Sequence, residues 1–214
     1  MVQTPAARPR GRPAARTDAE TLALLGEAAT AAFGRHGYAG ANVTEIARSL
    51  GISTRTLYRL VPTKAELFEL SVRSRIDSFL LAVTRDALSG LELEDALTLI
   101  LTRFATLVLG DESMAITRLL YAEAGRFPEI AARFQASAAR RVDAAITAWL
   151  AEQVEAGRLT VEQPGFASSF LRGAMVSDPQ RAALLGTAPL PDAGAIAERA
   201  RRCARLFLQG CRPR

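Results

Sequence analysis

The stretch VTEIARSLGISTRTLYRL, residues 43–60, decides the fold. Ile46, Ala47 and Leu50 recur at the 3–4 spacing of one buried helix face. Gly51 supplies the left-handed backbone a tight turn needs, and Ile52 plugs the angle behind it. Ser53 is placed to cap a second short helix that buries Leu57 and Leu60. Two short helices joined by a Gly-containing turn make a helix-turn-helix, whose second helix is free to enter a major groove. Its expected exposed positions are Thr54, Arg55, Thr56, Tyr58 and Arg59. Arg grips guanine edges with two hydrogen bonds, Thr meets bases or thymine methyls, and Tyr reaches phosphate. The alternative is an ordinary helical corner with a solvated basic face.

Charge favours the DNA reading. Through residue 64 there are nine Lys and Arg against four acids, which accounts for the whole net charge of +5. The remaining 150 residues carry eighteen of each sign. A basic module on a neutral body suits a polyanion-binding head. Within that module, Lys64 is expected at the start of a helix, where free amides and its ammonium together favour a phosphate. Before residue 17 the chain is rich in Pro, Ala and Arg without periodicity, which predicts a flexible basic arm over 1–16. In it, Pro9-Arg10-Gly11-Arg12-Pro13 matches the core of an AT-hook, which lays Arg10 and Arg12 into a narrow A·T-rich minor groove.

From residue 17 onward helical signals dominate and predict an all-α chain of nine helices. Thr17 with Glu20, Asn42 with Glu45 and Thr63 with Glu66 read as three reciprocal capping boxes. They open helices that end at Gly37, at Gly51 and, after a long run from Lys64 to about Leu88, at Ser89-Gly90. Further helices are expected over 91–109, 111–124 with Asp111 as cap, and 128–156. One from about Glu162 should kink or restart at Asp178-Pro179, and Asp192 opens the last, which ends at Gly210. A helix-turn-helix domain over 17–64 and a ligand-binding and dimerisation body over 65–214 follow.

At this point the sequence resembles the DNA-binding domain of the tetracycline-repressor (TetR) family over residues 18–68. The shared pattern runs from Ala28-Ala29 to Phe33 and Gly37-Tyr38, then through Val43, Ile46-Ala47, Gly51-Ile52-Ser53, Thr56-Leu57-Tyr58 and Lys64 to Leu67. The resemblance implies a dimeric regulator, usually a repressor released from a palindromic operator by a small ligand. By position it implies that Thr44, Thr54, Arg55, Thr56, Tyr58, Arg59 and Lys64 carry the DNA contacts, beside Ser53 at the cap. Arg55 stands where the family commonly has Gly, and so adds a base contact. From Arg118, AEAGRFPEI and the closing FLQGCRP are similar to the AefR-like type of C-terminal domain.

In the body, large apolar residues are the candidates for a ligand cavity: Phe79, Phe104, Met114, Trp149 and Phe170, followed by Phe134 and Met175. Arg103, Glu123 and Arg172 are candidate polar partners. The resemblance implies that the last two long helices pair with those of a second copy. Phe170 and the stripe Ile196, Ala200, Cys203 and Phe207 are the candidates for that homodimer interface.

No phosphate loop or nucleophile elbow is present, and there is a single His, so catalysis is not expected. Neither a metal nor another cofactor is expected; His36 stands alone, and Cys203 and Cys211 lie about 12 Å apart along one helix. No apolar run reaches membrane length, and the expected location is the cytoplasm. The rival reading is an architectural DNA-binding protein without a ligand.

Overall fold

The computed structural model describes residues 16–211. The arm up to residue 15, with Arg10 and Arg12, lies outside the described residues. Among those described there are eleven α-helices, one π-helical turn and no strand. The first four are α1 (Asp18–Gly40), α2 (Val43–Ser49), α3 (Thr54–Leu60) and α4 (Lys64–Ala82). They are followed by α5 (Arg85–Leu88), α6 (Leu93–Leu109), α7 (Asp111–Glu123) and α8 (Pro128–Phe134). The π turn Gln135–Ala139 leads into α9 (Arg140–Glu155), and α10 (Pro164–Leu185) and α11 (Ala193–Cys211) close the fold. The helix-turn-helix is α2 and α3, carried on α1 and α4; the other helices form the C-terminal body.

Caps set the boundaries, though only one box is reciprocal. The Thr17 hydroxyl accepts from the Glu20 amide while Glu20 accepts from the Thr17 amide. Asn42 accepts from the amides of Thr44 and Glu45, and Thr63 from that of Glu66, with no returning bond from either Glu among the described contacts. The Glu66 carboxylate is drawn instead to Arg133 of α8 at 3.2 Å. The Thr63 cap stays, and an ion pair with a neighbouring helix takes the place of the returning bond.

The nine expected helices divide further in two places. The run from Lys64 breaks at Val83-Thr84, where the Thr84 hydroxyl accepts the Ala87 amide and starts α5. The run 128–156 is continuous but widens at the π turn. Two other expectations are corrected. Asp111 is the first residue of α7 and caps nothing, because Gly110 holds the cap position. Pro179 does not end α10, which passes through it as one helix. Asp178 there pairs with Arg181 at 2.7 Å instead of capping, and Arg199 of α11 donates to the Ala174 carbonyl in the turn before.

The core is contiguous from Leu25 in α1 to Leu208 in α11. α1 packs most closely on α4. A side chain at Gly26 would press on the Leu70 carbonyl at 3.1 Å, and the Thr30 hydroxyl donates to the Ser71 carbonyl at 2.8 Å.

Candidate functional site

The exposed face of the helix-turn-helix starts with the cap of α3. The Ser53 hydroxyl accepts from the Thr56 amide at 3.0 Å and is hydrogen-bonded to the Thr56 hydroxyl at 2.8 Å. Both hydroxyls therefore hold the start of the helix in shape. Gly51, at φ 69°, makes the turn that aims it, and the Arg16 guanidinium donates to the Leu50 carbonyl beside that turn. Leu57 is fully buried while Arg55, Tyr58 and Arg59 are exposed, with Thr54 and Thr56 half-buried at the rim. Thr44 and Arg48 are exposed on α2.

Two cations of this face are already engaged. Arg59 grips Asp18 with both terminal nitrogens, at 2.7 and 2.8 Å. The hydrogen bonds from Arg59 hold the Asp18 carboxyl below its usual range, and the same pair holds the guanidinium above its own. Lys64 lies half-buried over the Tyr38 ring, 5.1 Å from its centroid, and donates to the Ala39 carbonyl at 3.2 Å. Partial burial lowers the pKa of its ammonium, against the opposing pull of nearby Glu123.

A cavity of about 440 Å³ lies in the body between α4, α6, α7, α10 and the long helix of α8 and α9. Its walls include Val72, Ile76, Phe104, Leu120, Phe134 and Val142, and the π turn contributes Ala138 and Ala139. A π turn aims consecutive side chains differently from an α-helix, which is why such turns recur at functional sites. Two cations reach the cavity. Arg75 pairs with Glu112 at 3.2 Å, and Arg172 donates to Asp143 at 2.8 Å.

The cavity and the head meet at α7. Leu120, Tyr121 and Ala124 line the cavity, and between them Glu123 turns the other way. Its carboxylate accepts the amides of Tyr38 at 2.8 Å and Ala39 at 2.9 Å, at the end of α1. Gly37, at φ 69°, lets the chain fold over that carboxylate, and a side chain there would collide with it. Around this junction Phe33, Tyr38, Phe68 and Phe127 pack ring on ring.

Comparison with known proteins fits this geometry. The sequence profile of the AefR-like transcriptional repressor C-terminal domain matches residues 95–210, and that of the bacterial regulatory proteins of the tetR family matches residues 25–70. The chain belongs to the TetR family of transcriptional regulators. No curated protein matches this TetR-family chain by sequence. Among solved structures, a protein described as a TetR-family regulator from Mesorhizobium loti is 23% identical, with a TM-score of 0.79 over 93% of this chain and 100% of its own. The flavonoid-responsive regulator FrrA is 24% identical, with a TM-score of 0.71 over 92% of this chain and 99% of its own. FadR from Bacillus subtilis, in complex with stearoyl-CoA, is 15% identical, with a TM-score of 0.66 over 87% of this chain and 97% of its own. At these identities the likeness is one of fold.

The structure of this TetR-family regulator distributes the other candidate residues unevenly. Phe104, Phe134 and Arg172 line the cavity. Phe79, Met114 and Met175 are buried and are not among its lining residues, and Trp149 borders a separate polar cleft beside Arg85 and Glu152. Phe170 is 58% exposed and touches no part of the cavity, and Arg103 is exposed as well. On α11, Ile196 and Ala200 turn into the chain's own core with Ala204 and Leu208, while Cys203 and Phe207 are half-buried beside them. The large apolar side chains left exposed on α10 and α11 are Phe166, Phe170, Leu185 and Leu206. Sequence reasoning missed Arg75, yet a signal existed: it sits on the apolar stripe of Val72, Ile76 and Phe79, where a charge has no structural reason to be. Nothing in the sequence marks the π turn.

Proposed function

We infer that the protein is a cytoplasmic homodimeric repressor that holds a palindromic operator and releases it when a small molecule fills the cavity. One observation carries this reading. The helix that walls the cavity also holds the reading head, through the two amides bonded to Glu123. A ligand that shifts α7 therefore shifts α1, and α3 with it, so the two heads of a dimer lose the spacing of adjacent major grooves. FrrA is named as flavonoid-responsive and FadR was solved with stearoyl-CoA, which supports a small-molecule effector for this fold.

On the DNA side, Arg55 reads base edges while Tyr58, Thr44 and Lys64 hold phosphates. Thr54 and Thr56 meet the groove from the rim, Ser53 sets the helix start, and Arg59 exchanges Asp18 for backbone phosphate on docking. Arg10 and Arg12 of the arm add minor-groove contact. Dimerisation uses the outer faces of α10 and α11, with Phe170 and Phe166 at the centre and Cys203 and Phe207 at the edge.

Selection of genomic fragments by the purified protein, beside an Arg55→Ala, Tyr58→Ala variant, tests the reading. A palindromic site bound about a thousandfold above bulk DNA, and lost in the variant, is expected. Equal retention of all fragments by both proteins would establish an architectural binder instead.

A further inference from the structure

We propose that the polar cleft beside Trp149 is a second binding site, for a small monoanion with an apolar ring and a hydrogen-bond donor. The cleft lies beyond the last turn of α4, between α5, the start of α6 and the end of α9, and has a volume of about 380 Å³. Lys64 opens α4 at the head, so the cleft belongs to the opposite end of that helix. It shares no lining residue with the cavity proposed for the effector.

Gln153 carries the inference. It continues the buried stripe of Val142, Ile146, Trp149 and Leu150 on α9, and is itself only 4% exposed. An apolar side chain would fill that position at no polar cost. The carboxamide makes one bond, from Nε2 to the Trp149 carbonyl one turn back in the same helix, at 3.1 Å. The reverse orientation would set oxygen against that carbonyl, so Oε1 is the atom left over. Oε1 accepts no hydrogen bond among the described residues, yet it is not one of the sealed unpartnered atoms, which are Thr147 Oγ1 and Arg172 Nε. It therefore keeps accessible surface, and the cleft is the space that Gln153 lines. A donor that meets this nearly buried acceptor relieves the cost of burying it.

The rest of the wall sets the other two features. Arg85, Glu152 and Arg158 are its charged residues. Arg85 pairs with Glu152 at 3.0 Å, whereas Arg158 is exposed and pairs with no carboxylate among the described residues. One positive charge is left over, which a single negative charge balances. Trp149, Leu88 and Ala96 are buried and Leu91 is half open, so together they supply apolar surface for one ring.

Calorimetric titration of the full chain with 4-hydroxyphenylacetate, 4-methoxyphenylacetate and methyl 4-hydroxyphenylacetate tests this. The hydroxy acid is expected to bind about fivefold more tightly than the methyl ether, which has no donor. It should bind about threefold more tightly than the ester, which has no charge, because an exposed ion pair contributes little. Gln153→Met should erase the first difference and Arg158→Gln the second, with helicity unchanged in both. Ala156→Trp, which fills the cleft from an exposed position, should abolish binding, whereas Ala138→Phe, which fills the other cavity, should leave it intact. Both differences surviving in both variants, or binding lost in Ala138→Phe and kept in Ala156→Trp, puts the molecule elsewhere and overturns the site. Equal binding of the ether and the hydroxy acid removes Gln153 from recognition and overturns the class. No heat from any of the three at millimolar concentration overturns the proposal outright, and leaves the effector reading standing because the two sites share no residue.

Discussion

Arg55 and Tyr58 leave α3 on the side away from Leu57, so either can be cut back without touching the core. Arg55→Ala is expected to weaken operator binding by about 1–3 kcal/mol and to relax preference at one base pair, measured by anisotropy titration against single-base operator variants. Tyr58→Phe should weaken all sequences alike, because a phosphate contact carries no sequence information. Asp18 and Arg59 behave differently. The Asp18 carboxyl is held low, so its contribution to stability is present above the ordinary carboxylate range near pH 4 and is lost as pH falls through the folded value. Asp18→Asn should therefore lower the urea midpoint at pH 7 and leave it unchanged at about pH 2. Because the pair is exposed, the difference should also shrink in molar salt. At this scale the sequence was a good guide to residue type and a poor one to commitment. Arg59 and Lys64 read as free cations, whereas their partners, Asp18 and the Ala39 carbonyl, lie 41 and 25 residues away.

Glu123 gives α7 two duties, since neighbours of its own helix line the cavity while its carboxylate holds the end of α1. Glu123→Gln keeps one acceptor and turns an NH₂ toward the second amide. It should cost about 1.5–3 kcal/mol in denaturant unfolding. Its sharper signature is expected in response: operator binding is retained in weakened form, but added ligand no longer changes it. Gly37→Ala should show the same uncoupling, because it combines a strained φ with a collision at the carboxylate. Helix positions were legible where local chemistry decides them, as at Thr17 with Glu20 or the turn at Gly51. They were not where a distant partner does. Glu66 leaves its cap for Arg133, and α10 runs through Pro179 with Arg199 bonded to the turn before it.

Across the whole molecule, the residues proposed to decide assembly are those the core leaves out. Phe166 and Phe170 lie one turn apart on α10 and are 71% and 58% exposed. Replacing both with Glu should give a monomer in sedimentation with unchanged helicity, and operator affinity should fall by several orders of magnitude as cooperative two-site docking is lost. The resemblance placed α11 against the partner and periodicity chose the stripe, but periodicity finds an apolar face without saying what covers it. Ile196 and Ala200 are covered from within the chain. A boundary after Lys64 followed the motif in the same way, but the packing ignores it. α1 lies on α4 closely enough that only Gly fits at position 26 without displacing the Leu70 carbonyl, and Phe33 packs on Phe68. Recombination with a sister regulator should respect that seam. A chimera joined at residue 64 would mate a foreign α1 to a native α4 across mismatched steric surfaces, whereas a crossover at the Val83-Thr84 break transplants specificity and its scaffold as one heritable unit.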